Sequence, residues 1–231
     1  IVAEMVKPAE KIGSINVTQV GSVDGSRGAI LQALDSVLAQ AVHAPSLAGL
    51  PQWRRVLDRM AAERPTYEAC ATDPAACPGG AARAWLQFLA TLAHQPLAER
   101  VDAVNRYANR WPYRSDREVW GRSDHWATPL EFLHRSGDCE DYAIFKYVSL
   151  RRLGVPAAAM HLVVLQDTAR DLAHAVLTVD VDGTTYVLDN LDDRLVRPAG
   201  LPHYVPYYSV NEEGRWVHVG ERAVVVTAAD R

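Results

Sequence analysis

The spacing of apolar residues changes once along the chain, from a helical period to a strand period. Between Gln52 and Arg110 apolar residues recur three and four positions apart, as in Trp85-Leu86-Phe88-Leu89-Leu92, with breaks at the Cys70-to-Cys77 stretch and at Pro96. This predicts a set of helices. Residues 29–50 also read as helical, after a segment in which Pro8, Gly13, Gly21, Gly25 and Gly28 surround the alternation Ile15-Asn16-Val17-Thr18-Gln19-Val20. That first segment, 1–28, predicts one strand and a flexible tether. Two further apolar segments, 129–134 and 141–153, flank Ser136-Gly137-Asp138-Cys139, and Gly154 followed by Pro156 closes the second. Cys139 therefore falls at the start of a helix.

Beyond residue 160 the period is two, in residues 160–165, 174–181 and 184–189, and Asp182-Gly183 between the last pair signals a hairpin. Helices first and strands afterwards predict an α+β domain, with a helix packed on an antiparallel sheet. The length of 231 residues and a hydrophobic share of 48% suit one principal domain, 51–231, with an appendage and tether over 1–50.

Charge narrows the function. A net charge of −4, a pI near 6.1 and the lack of a Lys/Arg run give no reason to expect nucleic acid or an anionic membrane as a partner. No stretch of about eighteen apolar residues would span a bilayer. The start at Ile1 lacks a signal-peptide pattern, so the chain is expected to be a trimmed or processed fragment.

The three cysteines divide unequally: Cys70 and Cys77 share a loop-like stretch, and Cys139 stands alone in an acidic setting. The pair is either a disulfide, which would imply an oxidising compartment, or two free thiols. Cys139 has the first condition for a nucleophile, because a helix N-terminus beside an imidazolium lowers a thiol pKa. If Asp182 and Gly183 form a two-residue loop, Val181 pairs with Thr184 and Val176 falls opposite Asp189. His174 shares a face with Val176, which makes Asp189 its diagonal neighbour at roughly 7–8 Å between Cα atoms, within reach of an orienting hydrogen bond. Taken singly, each of the three has a plain structural role: a sheet histidine, a turn aspartate, a buried small thiol. His125 and His134, which flank the nucleophile segment, are candidates to line the site. The Cys139 N–H and a side chain from the 120–126 region are candidate oxyanion donors.

The stretches His125-Trp126-Ala127-Thr128-Pro129-Leu130-Glu131-Phe132-Leu133, Gly137-Asp138-Cys139-Glu140-Asp141-Tyr142-Ala143-Ile144 and Leu188-Asp189-Asn190-Leu191 resemble the bacterial transglutaminase-like cysteine proteinases. The resemblance implies a papain-like, transglutaminase-like fold, with Cys139 as nucleophile, His174 as its base and Asp189 orienting the histidine. It further implies a periplasmic protease that cuts the N-terminal region of a large surface adhesin, often near an Ala-Ala bond, and so releases cells from a biofilm. An inner-membrane cyclic diguanylate receptor would restrain it. Asp138, Glu140 and Asp141 crowd the thiol; helix capping and the macrodipole explain them without metal, whereas the resemblance implies that they bind calcium.

Val6-Lys7-Pro8-Ala9-Glu10-Lys11-Ile12 and Gln32-Ala33-Leu34-Asp35-Ser36-Val37-Leu38 are similar to the C-terminal segment of flotillins, which are membrane-scaffold proteins. That similarity implies a fusion, natural or engineered, and sets a cytoplasmic, membrane-associated location beside the periplasmic one. Two other functions use the same residues. One is a transglutaminase or deamidase with the same triad. The other is a non-enzymatic interaction module that docks a partner on its helical surface or on the Tyr204-to-Tyr208 stretch.

Overall fold

The computed structural model describes residues 41–218. The helical half begins with α1 (Pro51–Thr72), whose Pro51 occupies the first turn, where a missing N–H costs nothing. A 3-10 turn at Pro74–Ala76 and a disulfide between Cys70 and Cys77 tie the end of α1 to the loop before α2 (Gly80–Leu92). Then come α3 (Leu97–Ala108), α4 (Asp116–Trp120), α5 (Pro129–Arg135) and α6 (Cys139–Arg152). Gly154, at φ 88°, ends α6 in the left-handed region open to glycine.

The strands are β1 (Ala41–Ala44), β2 (Met160–Asp167), β3 (Leu172–Val181), β4 (Thr184–Asp189), β5 (Asp192–Val196), β6 (Tyr204–Asn211) and β7 (Gly214–His218). They form one antiparallel sheet in the order β1-β7-β6-β2-β3-β4-β5. The fold is therefore α+β, as the change of period implies. In the β3–β4 hairpin Val181 pairs with Thr184, and Asp182 and Gly183 both take positive φ (52° and 76°), the backbone that a two-residue hairpin turn requires. The alternation sorts the side chains by face. Leu162, Val164, Ala175, Leu177, Val179 and Leu188 join the main core under the helices, whereas Val163, Leu165, Val176 and Val187 build a smaller cluster on the opposite face.

Of the segment expected to be helical, 29–50, only residues 41–50 are described, and they form no helix. Ala41–Ala44 is an edge strand on β7, pairing Val42 with Val217, and the first described helix starts at Pro51. Four residues of Ala, Val and His carry too little pattern to choose a period, and pairing with β7 decides the conformation. The strand expected at 15–20 and both flotillin-like segments lie outside the described residues.

The centre of the molecule is α6, in which every residue from Cys139 to Leu150 is buried. Trp85 and Phe132 pack in the core against its Phe145. Burial on all sides obliges its polar residues to find partners. Ser149 does so, accepting from Trp85 Nε1 at 2.9 Å and donating to the Phe145 carbonyl at 2.7 Å. Lys146 does not: its Nζ has no hydrogen-bond partner among the described residues, and the nearest ring contact is Tyr142 at 5.9 Å.

Burial pulls the Lys146 pKa down from 10.5 to about 7, against the opposing pull of Asp189 and Asp193. Between those two values the unfolded chain holds the proton that the native protein has shed, so this residue's contribution makes stability rise with pH through that window. Lys146→Met should therefore raise the melting temperature by several degrees at pH 6 and by much less near pH 10, as read by thermal unfolding across the range. A gain or loss that is the same at every pH would show that the buried amine carries no penalty.

Candidate active site

Cys139 is the first residue of α6 and is almost fully buried. Asp141 holds the turn in place with both carboxylate oxygens, Oδ1 accepting from Ala127 N at 2.6 Å and Oδ2 from Asp138 N at 3.3 Å. From the other side the segment before α4 runs alongside, with a parallel bridge between Tyr113 and Gly137 and a bond from Arg114 N to the Gly137 carbonyl at 2.8 Å. Gly137 is needed for closeness: a Cβ there would meet Asp141 Oδ2 at 1.9 Å.

His174 on β3 and Asp189 at the end of β4 meet through the hairpin register, His174 Nε2 lying 2.9 Å from Asp189 Oδ1. The same Oδ1 accepts from Leu191 N at 3.0 Å, and Oδ2 accepts from the Tyr204 hydroxyl at 2.6 Å. Burial works to raise the Asp189 pKa, but these donors outweigh it and hold the carboxyl below its usual range. Asp189 is thus an anion engaged at Nε2, which leaves Nδ1 as the imidazole nitrogen for proton exchange. Cys139 and His174 line one cleft of about 360 Å³. Its upstream wall is Asn109, Trp111 and Tyr113 rather than the 120–126 region, and neither His125 nor His134 is part of it. His125 is instead buried against Trp120, with ring centroids 4.0 Å apart, and lies 3.7 Å from Glu131.

The thiol sits in a hostile field. Burial pushes its pKa well up, and Glu140 and Asp138 push it further; Sγ lies 3.2 Å from Glu140 Oε2, to which it donates. The Ala175 N–H acts the other way. The carboxylates distort one another too. Burial and Asp138 raise Asp116 to about 7, and burial followed by Asp138 and Asp141 raises Glu140 well above its ordinary value.

Carboxylate oxygens of Asp116, Asp138 and Glu140 lie within 4.8 Å of one another, and the Oδ1 atoms of Asp116 and Asp138 are buried without a partner among the described residues. Three hard oxygen donors, two with unused acceptors, are the kind of ligand that a calcium ion takes. The structure thus brings Asp116 to Asp138 and Glu140, while Asp141 tethers the helix start. Asp116 is 22 residues upstream of Asp138 and reads in sequence as an ordinary first-turn acid of a short helix following Ser115. No local signal marks it as a ligand; only the pairing of Tyr113 with Gly137 brings it to the thiol.

Residues 60–224 match the family model described as bacterial transglutaminase-like cysteine proteinase, BTLCP. Among solved structures, calcium-bound LapG from Legionella pneumophila is 31% identical, with a TM-score of 0.55 over 62% of this chain and 82% of that one. EGTA-treated LapG from the same organism is 27% identical, with a TM-score of 0.57 over 68% of this chain and 86% of that one. No curated protein matches the chain significantly.

Placing a methyl group at residue 137 should separate the tether from the thiol. Gly137→Ala is expected to displace the Asp141 carboxylate, lower stability by about 1–3 kcal/mol and cut Cys139 reactivity toward an alkylating agent. Chemical denaturation and intact-mass alkylation read the two effects. An unchanged protein would mean that the close approach at Gly137 is not what seats the thiol.

Proposed function

The chain belongs to the bacterial transglutaminase-like cysteine proteinases, and from that premise we propose that it is a calcium-dependent cysteine endopeptidase that cuts the N-terminal region of a large cell-surface adhesin. The observation that carries the reading is the 2.9 Å contact of His174 with Asp189, beside a cleft that His174 shares with a thiol at a helix N-terminus. Cys139 Sγ attacks the peptide carbonyl after its proton passes to His174. The imidazolium then protonates the departing amine, and a water activated by the same imidazole hydrolyses the thioester. Asp189 keeps the imidazole in the tautomer whose Nδ1 accepts the proton. The Cys139 N–H at the helix start is the proposed oxyanion donor.

Asp116, Asp138 and Glu140 would hold the calcium ion, which supplies positive charge where buried carboxylates otherwise oppose ionisation of the thiol. The calcium-bound and EGTA-treated forms of the Legionella LapG support this reading. The Cys70–Cys77 disulfide supports an oxidising compartment, and with it a periplasmic site of action. Among the described residues no helix is long and apolar enough to cross a membrane. An inner-membrane cyclic diguanylate receptor is the proposed inhibitory partner.

Mass spectrometry of an adhesin-derived peptide incubated with wild type and Cys139→Ala should show cleavage by the wild type alone. A shift of about one dalton would identify a deamidase and amine incorporation a transglutaminase; no cysteine-dependent change would sink the enzyme reading. His174→Ala should lower kcat by roughly a thousandfold or more without unfolding the protein, and Asp189→Asn should cost less. EGTA should lower the wild-type melting temperature and calcium should restore it. Asp116→Asn should lose that response, while Asp141→Asn should lower stability and keep it. The reverse pattern would return Asp141 to the ligand set.

A further inference from the structure

Tyr204 opens β6, which lies beyond both β2 and β3 from the strand that carries Asp189. Its backbone pairs with Asp167 of β2, and its side chain is buried among Val163, Leu165, Val176 and Val187. From there it makes two polar or aromatic contacts with the site. The hydroxyl donates to Asp189 Oδ2 at 2.6 Å, and the ring meets the His174 imidazole edge-on, with centroids 5.7 Å apart and planes at 67°. One side chain therefore touches both the carboxylate and the imidazole.

The two Asp189 oxygens are unequally supplied. Oδ1 faces both His174 Nε2 and Leu191 N, whereas among the described residues Oδ2 receives only the Tyr204 hydroxyl. Without that donor, a buried carboxylate oxygen would be left unsatisfied, and the group could recover the loss only by rotating or by admitting water. Either response moves Oδ1 off the line to Nε2. A short bond to an anion is also among the stronger hydrogen bonds, so it resists that rotation.

We infer that Tyr204 is a positioning residue for the reaction: its hydroxyl locks the rotation of the Asp189 carboxylate, and its ring limits the tilt of the imidazole that the carboxylate holds. The inference rests on the proposed roles of His174 and Asp189. Tyr204 touches neither substrate nor thiol in this scheme, and its hydroxyl acts through Asp189 alone.

Tyr204→Phe keeps the ring and the packing and removes only the donor. It should lower kcat on the peptide cleaved by wild type by roughly ten- to a hundredfold, the range expected for losing a hydrogen bond to a charged group, with KM within about twofold. The decisive arm is a double-mutant cycle. In an Asp189→Asn background the same change should cost little more, because the route through Asp189 is already broken. The ring N–H resonance of His174 in 15N-labelled protein reads the lock without substrate: a low-field, slowly exchanging signal in wild type should broaden or vanish in Tyr204→Phe. Equal losses of kcat in the wild-type and Asp189→Asn backgrounds, or an unaltered kcat and resonance, would overturn the inference. Wild type that cuts no peptide would instead count against the proposed protease activity, while the resonance still decides the role of Tyr204.

Discussion

Burial of the first turn of α6 is the constraint on which the rest of the structure turns. A helix enclosed from Cys139 to Leu150 places the thiol with little freedom, and every polar group on that turn must find a partner inside the protein. Asp141 meets the requirement by bonding the backbone of Ala127 and Asp138, which ties the segment before α5 to the turn that carries the nucleophile. Gly137 and the Tyr113 bridge are consequences, since the chain can approach Asp141 closely only where there is no side chain.

The same enclosure creates the electrostatic difficulty. Desolvation alone disfavours a thiolate, and Glu140 and Asp138 add to it. In the proposed mechanism two positive partners would resolve the conflict: the imidazolium of His174 from the sheet, and a cation that Asp116, Asp138 and Glu140 would hold from the helical side. Asp189 serves the first of these, and its depressed pKa follows from donors on three elements, β3, β6 and the turn after β4. Lys146 shows what happens when no such partner is supplied, because its amine drops to about 7 in the same helix.

Much of this was legible in the sequence wherever the signal is local. The Asp182-Gly183 turn determines the β3–β4 register, and counting back from it brings His174 and Asp189 to one face. Glycine at 154 and the acidic run at 138–141 mark the ends of α6. Long-range facts were not legible. Ala41–Ala44 has no intrinsic claim to be a strand and becomes one only because β7 offers an edge. Asp116 looks like a helix-start acid, and Tyr204 like part of an aromatic stretch, until tertiary packing delivers them to the site. Asp141 was only half legible for a related reason: its place three residues into the helix marks a capping residue, but its bond to Ala127 depends on a segment that the local pattern does not bring near.

The central claim is that a buried, carboxylate-crowded thiol becomes a nucleophile through His174. The most direct measurement is the second-order rate of iodoacetamide alkylation at Cys139 as a function of pH, followed by intact mass in calcium for wild type and His174→Ala. An activated thiol predicts rapid alkylation of wild type at neutral pH, with the His174→Ala profile displaced upward to the pH of an unassisted buried thiol. Superimposable profiles for the two proteins would contradict it.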